Sequence, residues 1–178
     1  MKCCRARGIE RLVCARVESL PFSAEQFDLV VALDLFEHIP DDRGLARELW
    51  RVCRPGGWLL ITVPAYPFLW SDHDEALGHC RRYTRRSLME LIEATDFEIV
   101  RFTSAIALTL PAIAGFRLAQ RALKPRRAPK THLIALPPAL NRLLIALLNI
   151  EARWLRRFNL PFGVSLIALL RKPRKKSL

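Results

Sequence analysis

Glycine is scarce in this chain and never recurs at alternate positions. The seven glycines stand at positions 8, 44, 56, 57, 78, 115 and 163, and no G-x-G occurs among them. A loop whose backbone N–H groups crowd around a bound cofactor needs such spacing, because only glycine lacks the Cβ that blocks the approach. Cysteine is also sparse: five residues, at 3, 4, 14, 53 and 80, with no C-x-x-C. That pattern is neither a disulfide framework nor a zinc site, and it suits a reducing compartment. No apolar run reaches about 18 residues, so a spanning helix is not expected. Residues 1–11 (MKCCRARGIER) have no apolar stretch of the kind a secretory leader carries. Acidic residues are outnumbered, 17 against 29 lysines and arginines, for a net charge of +12. Such an excess suits an anionic partner, though an arginine-rich solvated surface gives the same total. With no nucleic-acid-binding motif and no interleaving of aromatic and basic residues, nucleic acid is not expected.

What is present is a hydrophobic chain of 178 residues, 51% apolar, enough for one domain with a real core. Its clearest stretch is 27–64, FDLVVALDLFEHIPDDRGLARELWRVCRPGGWLLITVP. Residues 27–33 read as a strand buried on both faces. A polar cluster, Asp34, Glu37 and His38, follows. A helix then starts near Asp41 or Asp42, which cap and complement its N-terminus. Leu45, Leu49, Val52 and Cys53 share one side, and Pro55-Gly56-Gly57 is expected to stop it. Residues 58–63 form a second buried strand. Strand, crossover helix and strand make a right-handed parallel βαβ unit. In open parallel sheets ligands bind beyond the carboxyl ends of the strands, so chemistry is expected at residues 34–38 and from Pro64 onward.

Around this unit, residues 12–15 (LVCA) read as a short strand. Residues 64–83 form a long loop rich in aromatic and titratable groups, a length that is usually functional. Thr84 caps an amphipathic helix over 87–95, and 97–102 alternates as a half-exposed strand. Residues 104–119 are apolar around Pro111, read as one kinked helix or two short ones. A basic, proline-broken linker spans 124–130, a strong helix signal 136–158, and a last strand 163–170 precedes the basic tail 171–178. The expected division is a core over 1–103, a helical insertion over 104–160, and a final strand and tail over 161–178, all within one domain. No internal repeat is visible.

The run from Glu18 through LPF, a short turn, FDLVVALDLFEHI and RVCRPGGWLLITVP resembles the second half of a class I S-adenosylmethionine-dependent methyltransferase of the type 11 kind. The loop WSDHDEALGHCRRYTRRSL is similar to a bacterial subgroup of that family. The resemblance implies an α/β fold: a partial Rossmann-like sheet, mostly parallel, with an antiparallel C-terminal strand and an inserted helical region. Residues 12–15 would be the third of seven strands, 28–33 the fourth, 58–63 the fifth, 97–102 the sixth and 164–170 the seventh. Similarity begins after the second strand, so the chain reads as N-terminally truncated, without the glycine-rich loop that cradles the cofactor. The first strand normally lies between the third and fourth. Without it, either residues 12–15 slide across to pair with 28–33, or another chain covers that edge.

The resemblance also assigns roles. The cofactor is S-adenosyl-L-methionine, bordered by Arg16, Val17, Glu18, Leu33, Asp34, Leu35 and His38. The family usually has Asp where Arg16 stands, and arginine cannot accept a hydrogen bond from adenine. Asp34 faces the transferred methyl, and Asp34, His38, His73 and Tyr83 are the candidate catalytic groups for proton handling. Tyr66, Trp70, His79, Arg81 and Arg82 line the acceptor side, the two arginines suited to an anionic group. The histidines match no standard metal spacing, so no metal is expected. The expected partners are a small-molecule or lipid-like methyl acceptor, an anionic membrane surface for the apolar and basic 104–158 region, and an oligomer covering the bare sheet edge. The expected location is the cytoplasm, at the inner face of the membrane. The alternative is a non-catalytic remnant serving as a peripheral membrane or protein-interaction module.

Overall fold

The computed structural model describes residues 2–123 and 136–174, with side chains described for 4–119 and 136–174. The expected basic linker and the end of the tail lie outside the described residues. In chain order the elements are α1 (Lys2–Arg5), β1 (Phe27–Leu33), α2 (Asp42–Val52), β2 (Cys53–Pro64), α3 (Asp72–Ala76), α4 (Arg85–Glu93), β3 (Glu98–Ala105), α5 (Leu110–Leu123), α6 (Pro138–Leu155) and β4 (Ser165–Arg171). Short 3-10 turns occupy Phe36–His38 and Pro67–Leu69.

The strands form one sheet in the order β1-β2-β4-β3. β1 and β2 are parallel, and β4 runs antiparallel to both of its neighbours, β2 and β3. Thus β1, β2 and β3 point the same way, and their carboxyl ends share one edge of the fold. The order follows from the connections. The helices α2 and α4 carry the chain from β1 to β2 and from β2 to β3, and the slot left between β2 and β3 takes the last strand.

α2 forms because Leu45, Leu49 and Val52 recur at helical spacing and point inward, while Asp41 accepts from the Gly44 amide to cap it. The helix ends at Val52, before the proline and glycines expected to stop it. Residues 53–57 instead lengthen β2, because Gly56 N–H donates to the Lys172 carbonyl and Lys172 N–H to the Gly57 carbonyl. At Gly57 a Cβ would stand 2.8 Å from the Arg54 carbonyl and 2.9 Å from Cys53 Sγ, so glycine is required. Below this, Lys172 Nζ donates to the carbonyls of Trp50 and Cys53, 2.8 Å each, under the Trp50 ring. Thr84 caps α4 reciprocally with Ser87. The core is Phe36, Leu45, Leu49, Leu59, Ile61, Val63, Leu88, Leu91, Leu166 and Leu170, between the sheet and the helices α2 and α4.

Three expectations are corrected. Residues 12–15 are not a strand: only the Arg16–Ser19 bridge forms there, and a four-residue apolar run finds no ladder beside it. β1 is therefore an edge strand, with Leu29, Val31 and Leu33 about half exposed on one face. Four of the five expected strands are present among the described residues. Pro111 does not kink a helix. It sits in the first turn of α5, where its missing N–H costs nothing.

α6 meets the rest through two polar anchors. Glu151, buried, accepts from the amides of Ile106, Ala107 and Leu108, just past β3. Arg101 donates to Asn159 and to the Leu155 and Phe158 carbonyls at the far end of α6. Much of the apolar surface of α5 and α6 stays exposed, including Phe116, Leu143, Ile145, Ile150 and Trp154. No described helix is long and apolar enough to cross a membrane.

Candidate active site

The carboxyl ends of β1, β2 and β3 each lead into a residue with left-handed backbone. Asp34, Tyr66 and Ile106 take φ of 48°, 59° and 62°, and each lies one or two residues beyond its strand. Left-handed backbone at a non-glycine residue costs on the order of 1–3 kcal/mol and persists where surroundings impose it. For Ile106 that surrounding is Glu151. For Asp34 it is β2: the Asp34 amide donates to the Thr62 carbonyl at 3.0 Å, and the Thr62 hydroxyl donates to Asp34 Oδ1 at 3.0 Å. Asp34 thus stands exposed at the mouth with its carboxylate fixed.

The 3-10 turn after it drives Phe36 and Glu37 inward and leaves His38 half-buried. Burial, opposed by its own backbone N–H and reinforced by the charge of Asp34, pushes the Glu37 carboxyl up to about 7. Its Oε2 has no hydrogen-bond partner among the described residues.

Residues 66–83 close over this turn. Ala65 and Tyr83 form a bridge, and the Cys80 amide donates to the Glu37 carbonyl at 2.6 Å. The hub of the segment is Asp74, which is 0% exposed. It accepts from Arg82 Nε at 2.7 Å and from the Ser71 amide and hydroxyl at 2.9 and 3.1 Å. Its Oδ1 lies 3.1 Å from His79 Nδ1, and Arg117 from α5 approaches to 3.7 Å. Burial pushes this carboxyl up, but the bonds from Arg82 and Ser71 outweigh it and hold it below its ordinary value. His79 is held below the ordinary imidazole value, by burial first and against the pull of Asp74. Its ring meets that of His38 edge-on, with centroids 4.6 Å apart.

The geometry reassigns several residues singled out in the sequence. Tyr83 is buried and donates to Asp42 Oδ2 at 2.9 Å; burial, then Asp42, drives its hydroxyl far above the range useful for proton transfer. Arg82 is committed to Asp74 and the Ala65 carbonyl, and Arg81 to Asp42 and the Pro40 carbonyl. These three are engaged in holding the loop. His73 sits exposed on α3, outside the histidine pair. Tyr66 stacks on exposed Phe68 at 5.3 Å, and Trp70 Nε1 donates to Glu75, giving an aromatic rim. Arg16 and Glu18 are exposed and pair loosely at 3.9 Å, while Val17 and Leu35 pack against the core and Leu33 stays exposed. Two residues to which the sequence reading gave no individual role do most of the organising: Glu37, named there only within the polar cluster, and Asp74. The signal for them was the placement of Glu37 beside His38 and of Asp74 five before His79 and eight before Arg82, which put acid and base within reach once the loop folds.

The residues present do not fit an adenosyl cofactor by themselves. No G-x-G occurs among the described residues, and the described grooves, along Arg85–Glu93 and between Asp42 and Leu91, are lined by neither Asp34 nor His38. On the turn after β1, Asp34 is exposed while Leu35 and His38 are half-buried.

Residues 1–61 match the family model described as a methyltransferase domain. A methyltransferase from Streptomyces halstedii is 30% identical over 118 residues, covering 60% of this chain and 42% of that protein. An uncharacterised methyltransferase from Mycobacterium sp. (strain KMS) is 32% identical over 83 residues, and the match covers 33% of its length. The chain thus spans about a third to two fifths of the curated relatives it matches. Among solved structures, a [4+2]-cyclase superposes with a TM-score of 0.54 at 22% identity, covering 97% of this chain and 60% of that one.

Proposed function

We propose that the chain, whose residues 1–61 match a methyltransferase-domain model and which is 30% identical to a Streptomyces methyltransferase over 118 residues, is a class I S-adenosylmethionine-dependent methyltransferase chain that carries the acceptor-facing half of such a site. The observation that carries this reading is the end of β1, where a fixed carboxylate and a half-buried imidazole open onto an aromatic-rimmed loop. S-adenosylmethionine supplies an activated methyl group on sulfur. This chain's own residues position the acceptor: Tyr66, Phe68 and Trp70 offer apolar surface, and exposed Asp34, leashed to Thr62, accepts the proton an acceptor hydroxyl or amine releases. Leu35 and Val17 pack against the core.

The acceptor in this reading is a small or lipid-like molecule met at a membrane surface. Exposed Phe116, Leu143, Ile145, Ile150 and Trp154 supply an apolar face, and Arg142, Arg153, Arg156 and Arg157 supply charge for anionic lipid. The location is then cytoplasmic, peripheral to the inner face of the membrane. A second chain or segment covers the bare β1 edge, where Leu29, Val31 and Leu33 face solvent.

Calorimetry with S-adenosylhomocysteine tests the enzymatic reading. Measurable heat of binding that is lost in Asp34→Ala supports it, and silence at millimolar ligand refutes it. Flotation with vesicles containing anionic lipid tests the surface, where absence of retention at low salt removes that part.

A further inference from the structure

Glu37, His38 and His79 come together from two separate segments, and each offers one ligand atom, all lying within 4.8 Å of one another. We propose that these three side chains bind a divalent first-row transition ion, with Asp74 holding His79 in position for it.

Four features support the site. Glu37 Oε2 is buried and unpartnered, and an unpaired buried polar atom is costly unless something absent from the protein satisfies it. His79 Nδ1 faces Asp74 Oδ1 at 3.1 Å, which fixes the tautomer with the proton on Nδ1 and leaves the Nε2 lone pair free. A carboxylate behind a ligating histidine is the usual outer partner at metal sites, where it orients the ring and raises its basicity. Asp74 is itself locked by Arg82 and Ser71, so the support is rigid. Lastly, the edge-on packing of the two imidazoles at 4.6 Å brings both rings to one place. Ligands about 2.0–2.2 Å from a common ion lie roughly 3–4 Å apart, so small side-chain rotations complete the geometry.

Two imidazoles and one carboxylate are borderline donors. They suit Zn²⁺, Co²⁺, Ni²⁺ or Fe²⁺ rather than Ca²⁺ or Mg²⁺, which favour oxygen. Three protein ligands also leave open positions. Together with the reading of a methyl-transfer site, this narrows the acceptor: an oxygen of the substrate takes an open position, and the ion acidifies its hydroxyl. That last step rests on the proposed function; ion binding does not.

The test uses the full chain after chelator treatment. Zn²⁺ is titrated in competition with a chromophoric chelator, and Co²⁺ is followed by its visible absorption. One ion per chain is expected. His38→Gln and His79→Gln should each weaken binding by roughly 100-fold or more, and Asp74→Asn by about 10–100-fold. Cys80→Ser should bind as the parent does. Far-ultraviolet circular dichroism confirms the fold of each variant, and half-buried His38 keeps the test available if the Asp74 variant unfolds. Uptake unchanged by the His38, His79 and Glu37→Gln substitutions, a thiolate charge-transfer band on Co²⁺ abolished by Cys80→Ser, or no uptake at all would each overturn the proposal. Failure to bind S-adenosylhomocysteine with ion binding intact would count against the methyl-transfer reading alone.

Discussion

Asp74→Asn is the most informative single change for stability. In the folded protein this carboxylate is 0% exposed and balances the Arg82 guanidinium, whose side chain is 3% exposed. The amide keeps the shape but carries no charge. Arg82 then retains only the Ala65 carbonyl, 2.9 Å away, as a described partner. Breaking one side of a buried ion pair costs about 3–5 kcal/mol, because the surviving charge remains desolvated. Ser71 keeps a weaker acceptor, and Arg117 loses the attraction of an anion 3.7 Å away. For a chain of this size each kcal/mol shifts the melting temperature by roughly 2–4 °C, so a fall of about 6–20 °C is expected. Urea unfolding followed by circular dichroism, with chelator present to exclude linkage to metal, measures the free energy directly. The Arg82→Met variant and the double variant complete a cycle in which the pair should be strongly non-additive. A loss below about 1 kcal/mol for Asp74→Asn would refute the reasoning, since surface ion pairs cost that little.

Three further outcomes follow from other contacts. Glu48 accepts from the Leu20 amide at 2.6 Å and pairs with Arg51, whose bond depresses its carboxyl against the effect of burial. A depressed carboxyl contributes stability above its unfolded value of about 4.3 that is lost as pH falls through the folded value, so Glu48→Gln should flatten the urea midpoint against pH in that acidic window. Glu151→Gln removes a charge that three consecutive amides address. It should cost about 1–3 kcal/mol and speed hydrogen exchange at Ala107 and Leu108 by tenfold or so, and unchanged exchange would show that α6 does not depend on this anchor. Tyr83→Phe should lower stability by about 0.5–1.5 kcal/mol through loss of the Asp42 bond while leaving ligand binding intact. Loss of binding without loss of stability would restore Tyr83 to the site.

Local pattern made the β1-α2-β2 unit and the α4 helix legible, since their apolar spacing and caps are written within a few residues. The antiparallel direction of β4 came from family resemblance alone, and its place between β2 and β3 only from the structure, because no local signal encodes strand order. Residues 12–15 misled because a short apolar run carries strand propensity but no information about a partner. The start of β2 was hidden behind Pro55-Gly56-Gly57, whose glycines serve the Lys172 pairing rather than a helix stop. In the site, Asp34 and His38 were readable from their position after a strand. Arg82 and Tyr83 were not, because their partners, Asp74 and Asp42, become neighbours only when 66–83 folds over 36–42. An arginine at a site reads as substrate-binding until the carboxylate that already holds it is known.

The central claim is that the end of β1 is the wall of a methyl donor's site. It is tested most directly by titrating the isotopically labelled chain with S-adenosylhomocysteine and following amide shifts by NMR. With half a site, affinity near 1 mM, about 4 kcal/mol, is expected. The shifts should concentrate at Leu33, Asp34, Leu35 and His38 and disappear in Asp34→Ala. Shifts confined to α5 and α6, or none at several millimolar ligand, would contradict it.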